Sequence, residues 1–415
     1  MNIKKSILFL CAGIFLISSL SCREGGHVAK SYNAGINIIP TPRSLEKREG
    51  SFKLSDGVSI GAITPEAKKI ATYFAAKISL ATGYDVKVED KGEITLVLDS
   101  CATFSPEGYA LDVESSRVQV TACSPRGLFY GMQSFLQLLP AEIESAGIVR
   151  DVDWEAPAAN IIDSPRFAYR GIHMDPCRPF MTVEEVKKQI DVLSMFKINT
   201  IHWHLTDDQG WRIEIKRYPL LTERGAWRIY NNQDTVCMKR AAEEDAPDLQ
   251  VPVARTRRDD KGRTLYGGFY TQEQVREVVA YAKERFINVI PEFELPGHEG
   301  LSCFKQTGWG KLFTTPMCPG KDTMLEFCKN VWSEVFDLFP SRYVHIGGDE
   351  VDMKNWKTCP DCQKRMKDHH LTTEPQLQAW FNHYMEDFFT AHGKTMIGWD
   401  EIIAGGLTAN SAGMW

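Results

Sequence analysis

The sequence predicts an α/β fold, in which a TIM (β/α)8-type barrel follows a small α+β domain. After Pro165, short apolar runs alternate with amphipathic helices, a pattern typical of repeated β-α units around a parallel sheet. Polar or aromatic residues follow nearly every apolar run, and the C-terminal strand ends of a TIM barrel form its active-site face. The length of 415 residues fits one barrel-sized domain and one small domain.

Composition indicates a soluble globular protein. The chain is 43% hydrophobic and 25% charged, both ordinary values for this class. The net charge is −6, and the Lys and Arg residues form no cluster interleaved with aromatics. These features argue against nucleic acid as a partner.

Residues 1–22 are predicted to be a signal peptide of the lipoprotein type, separate from the fold. Two lysines precede an apolar run from Ile7 to Leu20, which is too short for a stable membrane span. The run ends in Leu-Ser-Cys, which resembles a bacterial lipoprotein processing site with Cys22 as the lipidated residue; ordinary cleavage nearby is the alternative. We therefore expect an exported protein, periplasmic or at the outer membrane or cell surface, that contacts the membrane only through a lipid anchor at Cys22.

The cysteines give no regular disulfide framework. Eleven are present, and nine remain once Cys11 and Cys22 are set aside with the signal peptide. Cys359 and Cys362 form the one close pair, a Cys-x-x-Cys without the second pair that a structural zinc site needs. We expect a local disulfide or two free thiols here, and no metal.

Residues 36–160 are predicted to form the small α+β domain, with a supporting role because they contain no catalytic constellation. A helix is expected to begin at Thr64-Pro65 and to end at Gly83. A second helix and three strands are expected at Arg126–Leu139, Ile94–Leu98, Tyr109–Val113 and Val118–Thr121.

Residues 165–415 are predicted to form the barrel domain, with three helices that begin at capping boxes. The strand candidates are 169–175, 198–207, 287–296, 342–350, 394–401 and 411–415, and the capping boxes are Thr182-x-x-Glu185, Thr271-x-x-Gln274 and Thr323-x-x-Glu326. A TIM barrel needs eight strands, and a barrel of six would leave open sheet edges. We therefore expect a barrel domain that is incomplete at the C-terminus of this sequence.

Two adjacent carboxylates, Asp349 and Glu350, follow the fourth of these runs in His-Ile-Gly-Gly-Asp-Glu. Most enzymes that cleave glycosidic bonds place two carboxylates on opposite sides of the bond, roughly 5 to 9 Å apart. Neighbouring side chains on a regular strand point to opposite faces. Gly347 and Gly348 permit backbone angles that other residues avoid, so we expect an irregular strand end that lets both carboxylates face one pocket.

Six motifs in order resemble those of the family 20 glycoside hydrolases, the β-N-acetylhexosaminidases. The resemblance runs from about Ile38 to the C-terminus and includes the small domain. The motifs are RGIHMDPCRPF, HWHLTDDQGWRIEI, GGFYTQEQV, VIPEFELPGH, HIGGDE and GWDEI. The resemblance implies a TIM barrel behind a small α+β domain, and no cofactor.

The family also implies a mechanism in which the substrate supplies the nucleophile. It implies exo hydrolysis of terminal, non-reducing, β-linked N-acetylhexosamine, GlcNAc or GalNAc, with retention through an oxazolinium intermediate. Glu350 matches the general acid/base, and Asp349 matches the residue that orients the 2-acetamido group. The expected partner is an oligosaccharide or glycoconjugate with such a terminal sugar.

Further site residues follow from the same motifs. His298 and Asp207 match a relay in which Asp207 orients His298 and His298 contacts Glu350. Arg178 matches the arginine that binds sugar hydroxyls. The remaining substrate-binding candidates are Trp399, Trp380, Trp415 and Asp400, and core packing is the alternative for the three tryptophans.

Two other functions remain open at this point. The family has a tyrosine, an aspartate and a tryptophan near its seventh and eighth strands, beyond the end of this sequence, so an inactive sugar-binding fragment is one alternative. The other is a metal-dependent barrel hydrolase. His202 and His204 lie on one face of a strand, and His298, His345 and Asp400 would complete a metal site.

Overall fold

The computed structural model describes residues 35–100, 104–297, 316–406 and 412–414. The predicted signal peptide with Cys22, and the predicted site residues His298 and Trp415, lie outside these ranges. Within them, no helix combines the length and the apolar character that a membrane crossing requires.

The N-terminal part of the described chain is built on a seven-stranded mixed sheet in the order β1-β7-β5-β6-β4-β2-β3. Its strands are β1 (Ser44–Lys53), β2 (Ser59–Ala62), β3 (Lys87–Glu89), β4 (Ile94–Leu98), β5 (Tyr109–Val113), β6 (Val118–Ala122) and β7 (Glu155–Asp163). Helices α1 (Pro65–Thr82) and α2 (Pro125–Leu138) pack against this sheet and against each other. An apolar core lies between them, with Phe74, Ile78 and Phe135 fully buried.

Helix α1 has the two ends that its sequence predicts. Thr64 Oγ1 accepts the Ala67 N–H at 3.2 Å, which satisfies one of the free amides of the first turn. Gly83 ends the helix at φ 75°, a left-handed conformation that glycine adopts without strain. The second helix and the three predicted strands are also present, with bounds shifted by at most one residue.

The C-terminal part contains a parallel sheet in the order β18-β17-β16-β15-β9-β8. The strands of this part are β8 (Gly171–Met174), β9 (Thr200–His204), β10 (Thr206–Asp207), β11 (Gly210–Trp211), β12 (Trp227–Arg228), β13 (Thr256–Arg258), β14 (Thr264–Gly267), β15 (Asn288–Glu292), β16 (Tyr343–His345), β17 (Thr395–Trp399) and β18 (Ala412–Met414). Each of the six predicted strand runs contains one strand of the parallel sheet. Among the described residues the sheet is open, and β8 and β18 are its edges.

Helices cover this sheet and enclose a second, larger apolar core. They are α3 (Val183–Met195), α4 (Leu220–Glu223), α5 (Asn232–Glu243), α6 (Gln272–Glu284), α7 (Asp322–Leu338), α8 (Pro360–Asp368) and α9 (Glu374–Ala391). Thr182 and Thr271 form the capping boxes predicted for α3 and α6. The prediction for Thr323 is wrong: α7 begins at Asp322, so Thr323 lies inside the first turn, and the N-cap Lys321 makes no side-chain cap.

A partly buried ion pair joins the two parts of the chain. Glu107, before β5, accepts from both terminal nitrogens of Arg170, at 3.0 and 3.1 Å, and Arg170 immediately precedes β8. Asn199, before β9, donates to the same carboxylate at 3.1 Å. Burial alone would raise the pKa of Glu107, but hydrogen bonds from Arg170 and Asn199 hold it below the usual value.

Candidate active site

The adjacent carboxylates Asp349 and Glu350 follow β16 on an irregular backbone. Gly347 has φ 71°, Gly348 has φ 95°, and Glu350 itself has φ 47°. Left-handed angles in three of four consecutive residues end the strand and turn the chain, as the glycine pair predicts. A positive φ at a glutamate is uncommon and is found where the surrounding structure holds the residue in place. Asp349 is half-buried and Glu350 is exposed.

Both glycines are also required by close packing. A Cβ at Gly347 would lie 2.1 Å from Glu294 Oε2, and a Cβ at Gly348 would lie 2.4 Å from Ile402 Cγ2. The Gly348 carbonyl accepts a hydrogen bond from Gln378 Nε2 at 2.7 Å, which ties the turn to α9. The position of the two carboxylates is therefore fixed by neighbours on several elements.

Glu294 lies directly beside Asp349. Burial, together with the negative charges of Glu292 and Asp349, holds the pKa of Glu294 well above its usual value. Glu294 is therefore harder to ionise than an exposed glutamate, and it shares a hydrogen bond with Asp349. The backbone N–H of Glu294 donates to Thr206 Oγ1 at 2.9 Å, which connects this segment to β10.

Glu292, at the end of β15, is a fully buried carboxylate surrounded by polar rings. We call this group the Glu292 cluster; it consists of Glu292, His173, His202, His204, His345 and Trp399. The ring nitrogens lie 2.6 to 3.1 Å from the carboxylate oxygens. Burial alone would raise the pKa of Glu292, but hydrogen bonds from surrounding histidines, among them His173 and His204, hold it well below its usual value.

His204 connects the Glu292 cluster to two residues of the predicted site. Its Nδ1 lies 2.6 Å from Glu292 Oε2, and its Nε2 lies 2.8 Å from Asp207 Oδ2. Burial alone would lower the pKa of His204, but the hydrogen bonds to Asp207 and Glu292 raise it to about 9. His204 is therefore an imidazolium at neutral pH, and it links two buried carboxylates.

Arg178 continues this chain of contacts toward solvent. Its Nη2 lies 2.7 Å from Asp207 Oδ2, and its Nη1 donates to Asp175 Oδ2 at 2.7 Å. Burial alone would lower the pKa of Arg178, but the charges of Asp207 and Asp175 raise it. The guanidinium is held in one orientation by two carboxylates while 40% of the side chain stays exposed, which leaves donors available to a ligand.

The structure thus brings together three of the residues predicted from the sequence: Arg178, Asp207 and Trp399. The contacts run from Arg178 through Asp207, His204 and Glu292 to Trp399, whose Nε1 donates to Glu292 Oε1 at 2.8 Å. The predicted relay from Asp207 through His298 stays a prediction, because His298 is outside the described residues. In the structure, Asp207 is bonded to His204 and Arg178.

Trp380 and Asp400 lie on neighbouring elements. Trp380, on α9, stacks on Tyr384 with ring centroids 5.6 Å apart, and Arg365 lies over its ring at 4.8 Å. The first contact lies within α9 and the second joins α8 to α9, and a role for Trp380 in the sugar pocket stays a prediction. Asp400 is exposed and begins a 3-10 turn directly after Trp399.

Sequence reasoning missed Glu292 and Glu294, and a signal for them was present. Both carboxylates interrupt an otherwise apolar run, Val-Ile-Pro-Glu-Phe-Glu-Leu-Pro, and a buried charge in such a run requires partners. The partners were not predictable, because the four histidines come from three other strands.

The contacts also bear on the metal-dependent alternative. His202 and His204 share one face of β9, as expected, and both lie against Glu292. A metal ligand must be a neutral imidazole. Carboxylates occupy both nitrogens of His204 and keep it protonated, so it is a poor ligand.

Comparisons with known proteins agree with this architecture. The sequence model of the glycosyl hydrolase family 20 catalytic domain matches residues 167–415, and the model of domain 2 of that family matches residues 35–164. The beta-hexosaminidase of Porphyromonas gingivalis is 40% identical over 419 residues, which cover 96% of this chain and 50% of the relative. The beta-hexosaminidase of Vibrio furnissii is 34% identical and matches 91% of this chain and 59% of its own length.

Solved structures of the family superpose on the chain. The Vibrio harveyi GH20 exo beta-N-acetylglucosaminidase in complex with N-acetylglucosamine has a TM-score of 0.76 at 31% identity, covering 90% of this chain and 56% of that one. The Bacteroides fragilis beta-N-acetylhexosaminidase has a TM-score of 0.73 at 32% identity, covering 92% and 70%. These matches confirm the predicted fold class.

The chain spans 50% to 59% of the length of the two curated relatives named above. The family assignment itself does not depend on that difference in length, because the catalytic-domain model alone matches more than half of the chain and the domain-2 model precedes it in the expected order. The chain therefore belongs to glycosyl hydrolase family 20.

Proposed function

We propose that this protein removes terminal, non-reducing, β-linked N-acetylhexosamine residues, GlcNAc or GalNAc, from oligosaccharides or glycoconjugates. The family assignment supports this reaction, as do the names of the matched relatives. The reaction retains the anomeric configuration, because the 2-acetamido oxygen of the substrate attacks the anomeric carbon and water later opens the oxazolinium intermediate.

The observation that carries the proposal is the turn after β16, which holds Asp349 and Glu350 side by side and is fixed by Glu294, Ile402 and Gln378. Asp349 lies beside Glu294, and the two carboxyl groups share a hydrogen bond. An anion held in this way accepts the N–H of the acetamido group, orients it and stabilises the positive charge of the oxazolinium. Holding an internal nucleophile in the reactive orientation contributes several kcal/mol to catalysis.

Glu350 acts as the general acid in this scheme and afterwards as the general base. Its side chain is exposed, and its left-handed backbone places it after the turn that contains both glycines. Because the substrate supplies the nucleophile, a single protein carboxyl has to transfer the proton of the glycosidic oxygen. Two adjacent carboxylates with different tasks therefore replace the widely spaced pair of other glycosidases.

Arg178 binds the hydroxyl groups of the terminal sugar. Its orientation is set by Asp175 and Asp207, and the exposed part of the guanidinium presents parallel N–H donors. Trp399 lies beside Asp400 at the C-terminal end of β17, where an aromatic face can pack against the acetamido methyl group.

Residues 1–22 support export as a lipoprotein anchored at Cys22, and a lipid adduct on that cysteine in mass spectrometry would test it.

The general-acid role predicts a dependence on the leaving group. Glu350→Gln should lower kcat/KM for an unactivated N-acetylglucosaminide by roughly 10²–10⁴-fold, the usual worth of proton transfer by a positioned side chain. The loss should be much smaller for a nitrophenyl N-acetylglucosaminide, whose leaving group needs no proton. Glu326→Gln, on the exposed face of α7, is the control and should match wild type. Equal losses on both substrates would rule out Glu350 as the acid.

The orienting role predicts the opposite pattern for Asp349. Asp349→Asn should lower turnover on both substrates, by roughly 10²–10³-fold, because acetamido attack is needed whatever the leaving group. A thiazoline analogue of the intermediate should inhibit the wild type and bind the variant more weakly. Full activity of the variant on the nitrophenyl substrate would contradict substrate assistance.

A further inference from the structure

Three cysteines from two separate segments converge behind the proposed active-site turn. Cys318 Sγ lies 3.4 Å from Cys359 Sγ and 3.3 Å from Cys362 Sγ, and all three sulfurs are within 4.8 Å of one another. We call this group the three-cysteine cluster. The sequence pairs Cys359 with Cys362 alone, because Cys318 lies 41 residues earlier.

The local backbone brings the sulfurs together and leaves little freedom. Cys359 is the N-cap of α8 and Cys362 lies in its first turn, so the start of this helix brings the two side chains close together. Cys318 lies in the segment that precedes α7. At Gly320 the two segments are in backbone contact, since a Cβ there would lie 2.2 Å from the Asp361 carbonyl carbon.

Positive groups lie close to the sulfurs. The backbone N–H of Gly320 donates to the sulfurs of both Cys318 and Cys362, and Lys321 lies nearby. Thiolate is the form of cysteine that binds metals, and amide N–H groups donating to sulfur stabilise it.

The sulfur–sulfur distances fit metal ligation better than a covalent bond. Thiolates on a tetrahedral zinc ion, at about 2.3 Å from the metal, lie about 3.8 Å apart. A disulfide requires about 2.05 Å. The observed Sγ–Sγ distances of 3.3 and 3.4 Å are closer to the separation of two thiolates on zinc than to the length of a disulfide bond. Cys318 is also about equally close to both partners, whereas a disulfide would join it to one of them.

We propose that Cys318, Cys359 and Cys362 bind one structural Zn²⁺ ion. The ion takes these three sulfur ligands, and water completes a tetrahedral coordination. The cluster is largely buried against Trp356, Met366 and Leu377, which exclude bulk solvent from the sulfurs. Cys318, Cys359 and Cys362 form no disulfide in the structure, so their sulfurs are available to a metal.

A metal at this position would hold together two loops of the proposed active site. Met317, next to Cys318, donates its N–H to the Pro296 carbonyl at 2.9 Å, in the loop after β15. Trp356, shortly before Cys359, donates its indole N–H to the Met317 carbonyl at 2.9 Å. The ion would therefore fasten the loop that follows Asp349 and Glu350 to the loop that follows Glu292 and Glu294.

Metal content of the purified protein is the direct test, and it does not depend on enzymatic activity. We expect about one zinc per chain by elemental mass spectrometry after exhaustive dialysis. Replacement by Co²⁺ should give thiolate-to-cobalt charge-transfer absorption and the intense visible bands of a tetrahedral site. Cys359→Ser, at the half-buried position, should lower zinc occupancy at least tenfold and remove most of that absorption.

Two further variants separate ligation from folding. Gly320→Ala keeps all three thiols but forces the segments apart, and it should also lower zinc occupancy. Cys237→Ser, on the distant helix α5, should keep full occupancy and the cobalt spectrum. Circular dichroism and the unfolding midpoint of each variant identify any that fail to fold.

Three outcomes would overturn the proposal. They are a disulfide between two of the three cysteines in non-reducing peptide maps, the absence of zinc from protein purified without chelators, and zinc content that Cys359→Ser leaves unchanged. A protein that binds zinc but lacks hexosaminidase activity would refute the proposed function and leave this inference intact. An active protein without zinc would do the reverse.

Discussion

At the scale of single residues, His204 is the side chain whose charge state matters most to the described site. It lies between Asp207 and Glu292, and removal of its positive charge would leave two buried carboxylates without their shared partner. Breaking a buried charge pair in this way typically costs about 3–5 kcal/mol. His204 therefore stabilises the buried part of the site. The residues expected to contact substrate are Glu350, Asp349 and Arg178.

The stability of the protein should accordingly depend on pH through His204. Its pKa is raised from 6.5 to about 9 in the folded state, so its contribution to stability is fully present below pH 6.5 and is lost as the pH rises through about 9. The shift corresponds to a free energy of unfolding on the order of 3 kcal/mol. Urea unfolding at pH values on both sides of this window should show that decline in wild type, and a flat profile in His204→Gln.

A neighbouring histidine offers the control for this prediction. His173 contacts the same Glu292 carboxylate at 3.0 Å but is exposed at the edge strand β8. His173→Gln should cost less stability and should keep the wild-type decline at high pH. If His173→Gln flattens the pH profile as His204→Gln does, the decline does not belong to His204.

At the scale of elements, the turn after β16 ends the strand and begins the loop that contains the proposed catalytic carboxylates. Gly347 has φ 71° and has no room for a Cβ, while Gly393, after α9, has φ 69° with nothing within 4 Å of the Cβ position. The two glycines share a conformation and differ in crowding. Alanine substitutions at these two positions therefore distinguish the cost of a strained backbone from the cost of displacing Glu294.

Gly393→Ala should cost about 1–2 kcal/mol, the usual penalty of a left-handed backbone for a residue with a Cβ. Gly347→Ala should cost about 1–3 kcal/mol more, because the new methyl group overlaps the Glu294 carboxyl. It should also lower turnover, since Glu294 supports Asp349, whereas Gly393→Ala should keep wild-type kcat. Thermal unfolding and initial rates measure both effects, and equal losses in the two variants would contradict the crowding argument.

Local elements were largely predictable from local residues. The caps of α1, α3 and α6 use side chains within four residues of the helix start, and all were predicted. Thr323 shows the limit: it matches the same pattern, yet α7 begins earlier, at Asp322, with Lys321 as an N-cap that makes no side-chain hydrogen bond.

The same limit applies to the site. Asp349, Glu350, Arg178 and Asp207 were predicted because each lies in a motif that can be read along the chain. The raised pKa values of Glu294 and His204 and the approach of Cys318 to Cys359 depend on residues from different strands and loops. Such contacts exist only in the folded protein.

At the scale of the whole molecule, the Glu107–Arg170 ion pair connects the small domain to the barrel. Glu107 also accepts from Asn199, so two segments of the barrel meet one carboxylate. Hydrogen bonds between charged groups contribute about 1.5–3 kcal/mol each when they are buried. This pair should therefore help the two parts unfold as one unit.

Glu107→Gln should separate the unfolding of the two parts. Calorimetry should show a broader or split transition, with the total stability lowered by about 2 kcal/mol. Because the pKa of Glu107 is depressed, its contribution is present above the unfolded value of 4.5 and is lost as the pH falls through the folded pKa, so wild type should approach the variant in acid. Glu114→Gln, which removes an exposed pair with Arg117 inside the small domain, is the control and should leave one sharp transition.

The Glu292 cluster has a consequence for how this protein can change. Side chains from β8, β9, β16 and β17 contact the Glu292 carboxylate. The negative charge of Glu292 is therefore stabilised jointly by these neighbouring strands. Substitutions in different strands will not be independent, and double-mutant cycles between them should give coupling energies well above the additive expectation. Random mutagenesis should find few tolerated changes here singly. A functional change in this interior therefore requires compensating replacements on several strands at once.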